Sequence, residues 1–163
     1  MLSKRLKNFS NSMRNKKIVC VSGYFDPLHI GHLEYFKAAK ELGDELWVIV
    51  NNDEQAKLKK GRPFMNQWDR LRIVSAIKWV DWAVIAVDRD RSVCKTLEIL
   101  KPDIFANGGD RTKKNIPEVS ACKKLGIKMV FNVGGSKLNS SSELLKNYYE
   151  QMENFNHRSR ANR

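Results

Sequence analysis

Apolar residues gather along this chain in short runs, and the stretches between them carry apolar positions at helical intervals. Five runs read as buried strands: 17–22, 45–50, 82–87, 103–106 and 128–133. Each is too short for a helix and is bounded by charged or turn-forming residues. Between them, Leu33, Phe36, Ala39 and Leu42 predict a helix over 33–42, closed by Gly43. Trp68, Leu71, Val74 and Ile77 predict a second over 67–78. A short helix over 93–100 stops at Lys101-Pro102, because proline disfavours helical backbone in the residue before it. Another spans 117–125 and ends at Gly126, and a last one covers 141–152. The segment 51–62 is polar, rich in lysine, and reads as a loop. The four tryptophans, Trp47, Trp68, Trp79 and Trp82, fall within strand and helix patterns and are expected to pack in the core.

Strands alternating with helices predict an α/β fold: a parallel five-stranded sheet with helices on both faces, joined by right-handed crossovers. Ligands of such sheets bind beyond the carboxyl ends of the strands, where the strand order switches. Four unusual segments share that edge: 23–32 after the first strand, the lysine segment after the second, 107–111 after the fourth and 134–142 after the fifth.

A chain of 163 residues makes one domain with its own core, and no run approaches the roughly 18 apolar residues of a membrane span. Cys20, Cys94 and Cys122 lie far apart with no metal-ligand spacing, so buried free thiols and a cytoplasmic setting are expected. The net charge of +12 sits mostly at the ends. Residues 1–17 hold six Lys and Arg and no acid, and 155–163 hold three Arg and no acid. The chain therefore divides into a basic arm (1–16), a folded domain (17–152) and a basic tail (153–163). Such tails can touch nucleic acid, but solvated ends are the plainer reading. Leu2, Leu6, Phe9 and Met13 form one apolar stripe in the arm, suited to packing on the body or on a second subunit. Its serines and lack of acids also fit a transit peptide.

The candidate chemistry begins at Gly23-Tyr24-Phe25-Asp26-Pro27-Leu28-His29-Ile30-Gly31-His32. Two histidines three apart, where a strand turns into a helix, can face one phosphate, each offering an N–H donor. The helix start adds free backbone N–H groups and the positive end of its dipole, and Gly31 leaves room for a ligand. Near the far end, Gly134-Gly135 precedes Ser140-Ser141-Ser142, whose hydroxyls can cap a helix or donate to phosphate.

The histidine segment resembles the G-[TS]-F-D-x-x-H-x-G-H signature of the nucleotidyltransferase superfamily that includes the cytidylyltransferases. It matches at Gly23, Phe25, Asp26, His29, Gly31 and His32 and departs at Tyr24. Resemblance runs from about residue 18 to 150 and is similar to the heptose-1-phosphate adenylyltransferase and glycerol-3-phosphate cytidylyltransferase branches. It includes Arg62-Pro63, Arg70, Lys101-Pro102-Asp103, Gly108-Gly109-Asp110 and the serine triplet. A Rossmann-like fold is implied, as is transfer of a nucleoside monophosphate from ATP or CTP to a small phosphorylated acceptor, a sugar or polyol phosphate, with release of pyrophosphate. His29, His32 and Lys59 would be the catalytic residues. Gly23, Tyr24, Phe25, Asp26, Gly31, Asn107, Gly108, Gly109, Asp110, Ser140, Ser141 and Ser142 would hold the nucleotide. Lys60, Arg70 and Arg111 would hold the acceptor, and a homodimer is implied. Magnesium would come bound through the nucleotide phosphates and water. The Gly-Gly-Asp match, and the absence of the Arg-Thr-Glu-Gly stretch that precedes the serines in the glycerol-3-phosphate branch, weigh towards ATP. The competing class is a nucleotide- or nucleic-acid-binding protein that keeps the fold without the reaction.

Overall fold

The computed structural model describes residues 16–109, 111, 116–135 and 140–161. Five strands, β1 (Ile18–Gly23), β2 (Glu45–Val50), β3 (Trp82–Ile85), β4 (Ile104–Gly108) and β5 (Lys128–Val133), form one sheet in the order β3-β2-β1-β4-β5. Every pairing is parallel, with β1 central between β2 and β4. The helices are α1 (Ile30–Lys40), α2 (Asp53–Lys60), α3 (Gln67–Ser75), α4 (Cys94–Leu100), α5 (Glu118–Leu125) and α6 (Ser141–Ala161). The α/β, Rossmann-like sheet expected from the alternation is thus the fold.

Side chains of a strand alternate between faces, and this sheet is covered on both. Val19, Val21, Leu46, Val48 and Val50 build one core with Phe36 and Ala39 of α1 and Val74 of α3. Cys20, Ile49 and Phe105 point the other way, into a second core with Leu97 of α4 and Cys122 of α5. The cysteines are free thiols; Cys20 and Cys122 are buried and Cys94 is half-buried. Burial raises the Cys20 and Cys122 pKa values, to about 11 for Cys122.

Five expectations are corrected. Residues 51–62 are not all loop, because α2 forms there. Asn52 accepts from the Gln55 amide and the Gln55 side chain accepts from the Asn52 amide, a capping box that starts a helix too polar to show in the apolar pattern. Gly43 is not a left-handed cap: α1 closes on Glu41 in helical backbone, and a Cβ at Gly43 would lie 2.6 Å from the Lys17 carbonyl oxygen. Close approach of two segments requires that glycine. Trp68 and Trp82 are about three-fifths exposed, not core, and the Trp82 ring lies against the half-buried Trp47. The second predicted helix stops at Ser75, three residues early, and the last one runs on to Ala161, through the expected boundary at 152. The arm stripe of Leu2, Leu6, Phe9 and Met13 lies outside the described residues.

Candidate active site

The strand order reverses direction between β1 and β4, and a cleft of about 330 Å³ opens beyond the carboxyl ends of those two strands. Its floor is the turn from β1 into α1. Phe25 takes left-handed backbone (φ 50°) and folds its buried ring back over Gly23, where a Cβ would come within 2.7 Å of it. The same ring stands edge-on to His32, at 5.0 Å between centroids, and against Phe36. Phe25 therefore supports the histidines from beneath. His29 and His32 stack at 3.8 Å, in planes 24° apart. The His29 amide donates to Nδ1 of His32 at 3.2 Å, which places the proton of a neutral His32 on Nε2. Burial, then His29 and Lys59, push the His32 pKa down to about 3. A neutral N–H donor at the mouth of α1 results.

The second wall is α2. Lys59 and Lys60 come from its last turn and not from a mobile loop, and both line the cleft. The Lys59 ammonium lies 4.3 Å above the Tyr24 ring. Lys60 pairs with the fully buried Asp26 carboxylate at 2.5 Å and donates to the Asp26 carbonyl. Asp26 also accepts from the amides of Phe64 and Met65, so its carboxylate ties the loop before α3 to the histidine turn. Lys60 and Asp26 thus border the site while their charged groups hold each other.

Arg70 requires a larger correction. The expected acceptor clamp is wholly buried and does not line the cleft. Its guanidinium donates to the carbonyls of Met65, Tyr24 and Asn51 and pairs with Asp53 at 2.7 Å. It sits behind the site as a cross-tie between the histidine turn, the end of β2 and the start of α2.

On the other side, Asn107 and Gly108 at the end of β4, with Gly109 and Arg111 beyond it, line the cleft, while Asp110 lies outside the described residues. Gly108 admits no Cβ without crowding Tyr35, whose ring is 3.0 Å from the position a Cβ would take. Ser140, Ser141 and Ser142 all line the cleft. Ser140 accepts from the Glu143 amide as the cap of α6, and Ser141 donates to the Pro27 carbonyl at 2.8 Å, docking α6 on the histidine turn. Gly31 lines the cleft beside the histidines. Gly134, at the head of the segment expected at this edge, also lines the cleft, and so does Tyr35, which the sequence analysis did not name. Tyr35 follows His32 by one helical turn on the same face, a spacing that would have found it. Its hydroxyl donates to the Ala106 carbonyl, and burial raises its pKa.

Imidazoles, lysines, an arginine, hydroxyls and a helix start converge at a sheet switch point, a donor set suited to the phosphates of a nucleotide. The cytidylyltransferase-like family model matches residues 20–148, and the chain belongs to that family, within the nucleotidyltransferase superfamily. The FAD synthase of Pyrococcus abyssi is 48% identical over 99 residues, covering 60% of this chain and 66% of that protein. The FAD synthase of Thermoplasma volcanium is 38% identical over 135 residues, 81% of this chain and 94% of its own. The bifunctional protein HldE of Nitratiruptor sp. is 39% identical over 116 residues, 70% of this chain but 25% of that protein. The chain thus spans just under two thirds of the first relative and a quarter of the third. A solved structure, the lipopolysaccharide core biosynthesis protein of Thermoplasma volcanium GSS1, superposes with a TM-score of 0.63. It is 32% identical, and the match covers 77% of this chain and all of that one.

Proposed function

We propose that this protein transfers an adenylyl group from ATP to a small phosphomonoester and releases pyrophosphate. The observation that carries this reading is the stacked histidine pair at the start of α1, with Nε2–H of His32 fixed as a donor by the bond at Nδ1. An acceptor phosphate oxygen attacks the α-phosphorus, a P–O bond forms, and the bond to the bridging oxygen of pyrophosphate breaks. Negative charge grows on the equatorial oxygens and on the leaving group. Preorganised donors stabilise that charge without reorganising during the reaction. His29 and His32 donate to the α- and β-phosphate oxygens, with the α1 N-terminus behind them. Lys59 neutralises the departing charge from α2. Asn107, Gly108 and Gly109 present backbone and amide edges to the base. No proton transfer is required of His32, which suits an imidazole that stays neutral.

Among the described residues the cleft supplies donors for anions, and the one carboxylate among them, Asp26, is engaged by Lys60 and two amides. Magnesium fits this site as a passenger on the triphosphate oxygens and water, where it neutralises phosphate charge. ATP is favoured over CTP because FAD synthase names a protein whose product carries an adenylyl group, and the Gly108-Gly109 pair, which begins at the last residue of β4, resembles that of the adenylyl branch.

The test is a thermal-shift series with magnesium and ATP, CTP, GTP or UTP, followed by pyrophosphate release with a panel of FMN, sugar 1-phosphates and polyol phosphates. A ligand at ~100 times its dissociation constant adds about 2.7 kcal/mol, so ATP should raise Tm and the other nucleotides should not. Stabilisation by CTP alone would overturn the adenylyl assignment. His29→Ala should cut turnover on the order of 100-fold or more.

A further inference from the structure

One face of the sheet is only partly covered. Trp47 pairs with Trp82 and Ile49 with Val84 in register, so all four side chains lie on the same side of β2 and β3. The helices α4 and α5 pack on that side, where Ile49 is buried with Leu97 and Cys122. Their cover runs out towards the β3 edge: Trp47 and Val84 are half-buried, and Trp82 is 62% exposed. The Trp47 and Trp82 rings lie 5.8 Å apart and form one apolar surface at the amino half of the two strands. An aromatic pair at that place is surface that a further element would bury.

The chain enters the sheet beside this surface. Lys16 is the first described residue, and its ammonium pairs with one oxygen of Glu45 at 2.7 Å. The other Glu45 oxygen accepts from the Trp47 indole at 3.0 Å. The amides of Lys17 and Ile18 donate to the Asp44 and Asp103 carboxylates, each at 2.7 Å, which pins the backbone that follows. Residues 1–15 therefore leave from a fixed point next to the tryptophans.

That segment carries the stripe Leu2, Leu6, Phe9 and Met13, with Lys4, Arg5, Lys7 and Arg14 and no acid. The family match begins at residue 20, so the segment stands ahead of the common domain. As a helix the stripe would be about 16 Å long, and a helix about 10 Å across spans the width of two strands. The link from Met13 to Lys16 reaches at most about 10 Å, which keeps the stripe close to Glu45 and Trp47. Basic side chains beside the stripe suit the Glu45 carboxylate and the indole faces, both of which attract cations. We propose that residues 2–13 dock as an amphipathic helix on the Trp47–Trp82 surface of their own chain and complete the cover of this face. The stripe is then used within one chain and not between two subunits.

Limited trypsin digestion of the full chain, read by mass spectrometry, tests this at the bonds after Lys4, Arg5 and Lys7. Cleavage of a docked segment tracks the fraction of time it is released. Phe9→Ser removes a ring from the contact and should speed cleavage there about tenfold or more, and so should Trp82→Ala. Trp68→Ala removes an equally exposed tryptophan from α3 and should change the rate less than about twofold. Phe9→Ser should also shift tryptophan emission to the red, and Trp82→Ala should remove about half of that shift or more. Equal cleavage rates for wild type and Phe9→Ser would mean that the stripe is not held, and the proposal falls. Equal acceleration by Trp82→Ala and Trp68→Ala, or an emission spectrum that Phe9→Ser leaves unchanged, would place the arm away from this surface and also overturn it. Protection that disappears on dilution would give the arm to a second copy of the chain, which overturns docking within one.

Discussion

Arg70 shows how a buried charge can serve a site it never touches. Its guanidinium meets three carbonyls and one carboxylate, each within 3.0 Å, from four points of the chain. Removing one partner of a buried, hydrogen-bonded charge pair typically costs about 3–5 kcal/mol, much of it from the groups left behind. Arg70→Met should lower the unfolding free energy measured by urea titration by an amount in that range, and Arg70→Lys should recover only part because an ammonium cannot span four acceptors. A near-wild-type midpoint for Arg70→Met would show that the carbonyls find other donors. His32 acts through protonation. Its folded pKa of about 3 lies below the ordinary 6.5, so between those values the unfolded chain binds the extra proton. Stability is complete above about pH 6.5 and falls as pH drops towards 3, by up to about 1.4 kcal/mol per pH unit from this group. His32→Gln should flatten the pH dependence of the urea midpoint between about pH 5.5 and 6.5, a window above the ordinary range of the carboxylates. An unchanged slope would mean that His32 is not desolvated.

Helices and loops differ in how plainly the chain announces them. The histidine turn was legible because its residue types, glycine spacing and position after a strand agree with one another. Arg70 was not: its place in the sequence fits an exposed clamp as well as a buried tie, and only the fold puts the Tyr24, Asn51 and Met65 carbonyls around it. The helix α2 went unseen because Asp53–Lys60 has little apolar face, although the Asn52-x-x-Gln55 capping box was present in the sequence. Asn52 does two jobs there, capping α2 through its oxygen and tying the β3–α4 loop through its nitrogen. Asn52→Ala should therefore exceed the ~1 kcal/mol of an ordinary cap, reaching about 2 kcal/mol or more. Asn52→Asp keeps the cap oxygen and loses both donations to the loop, so it should recover only the cap's share. Identical urea midpoints for the two variants would mean that the loop bonds contribute nothing.

At the level of the whole molecule, the sheet order turns separate segments into one site. Alternation along the chain foretold a parallel sheet, but it could not say which strands are neighbours. The order β3-β2-β1-β4-β5 brings residues of 23–32, 107–109 with Arg111, and 140–142 to a single cleft, although more than 100 residues separate the first segment from the last. The bond from Ser141 to the Pro27 carbonyl then fastens the start of α6 to the histidine turn. A ligand spanning the switch point must couple both halves of the sheet, since it binds the native arrangement and not its parts. Hydrogen exchange should therefore slow on addition of magnesium and ATP around 23–33, 107–109 and 140–144 together. Amides of 148–155 in α6, whose side chains are exposed and do not line the cleft, should exchange as before. Ser141→Ala should leave protection at 23–33 largely in place and reduce it at 140–144, because the tie between turn and helix is gone while the histidines remain. Protection confined to 23–33 in wild type would place the nucleotide on one half of the sheet, and the serine segment would then be a helix cap with no part in holding it.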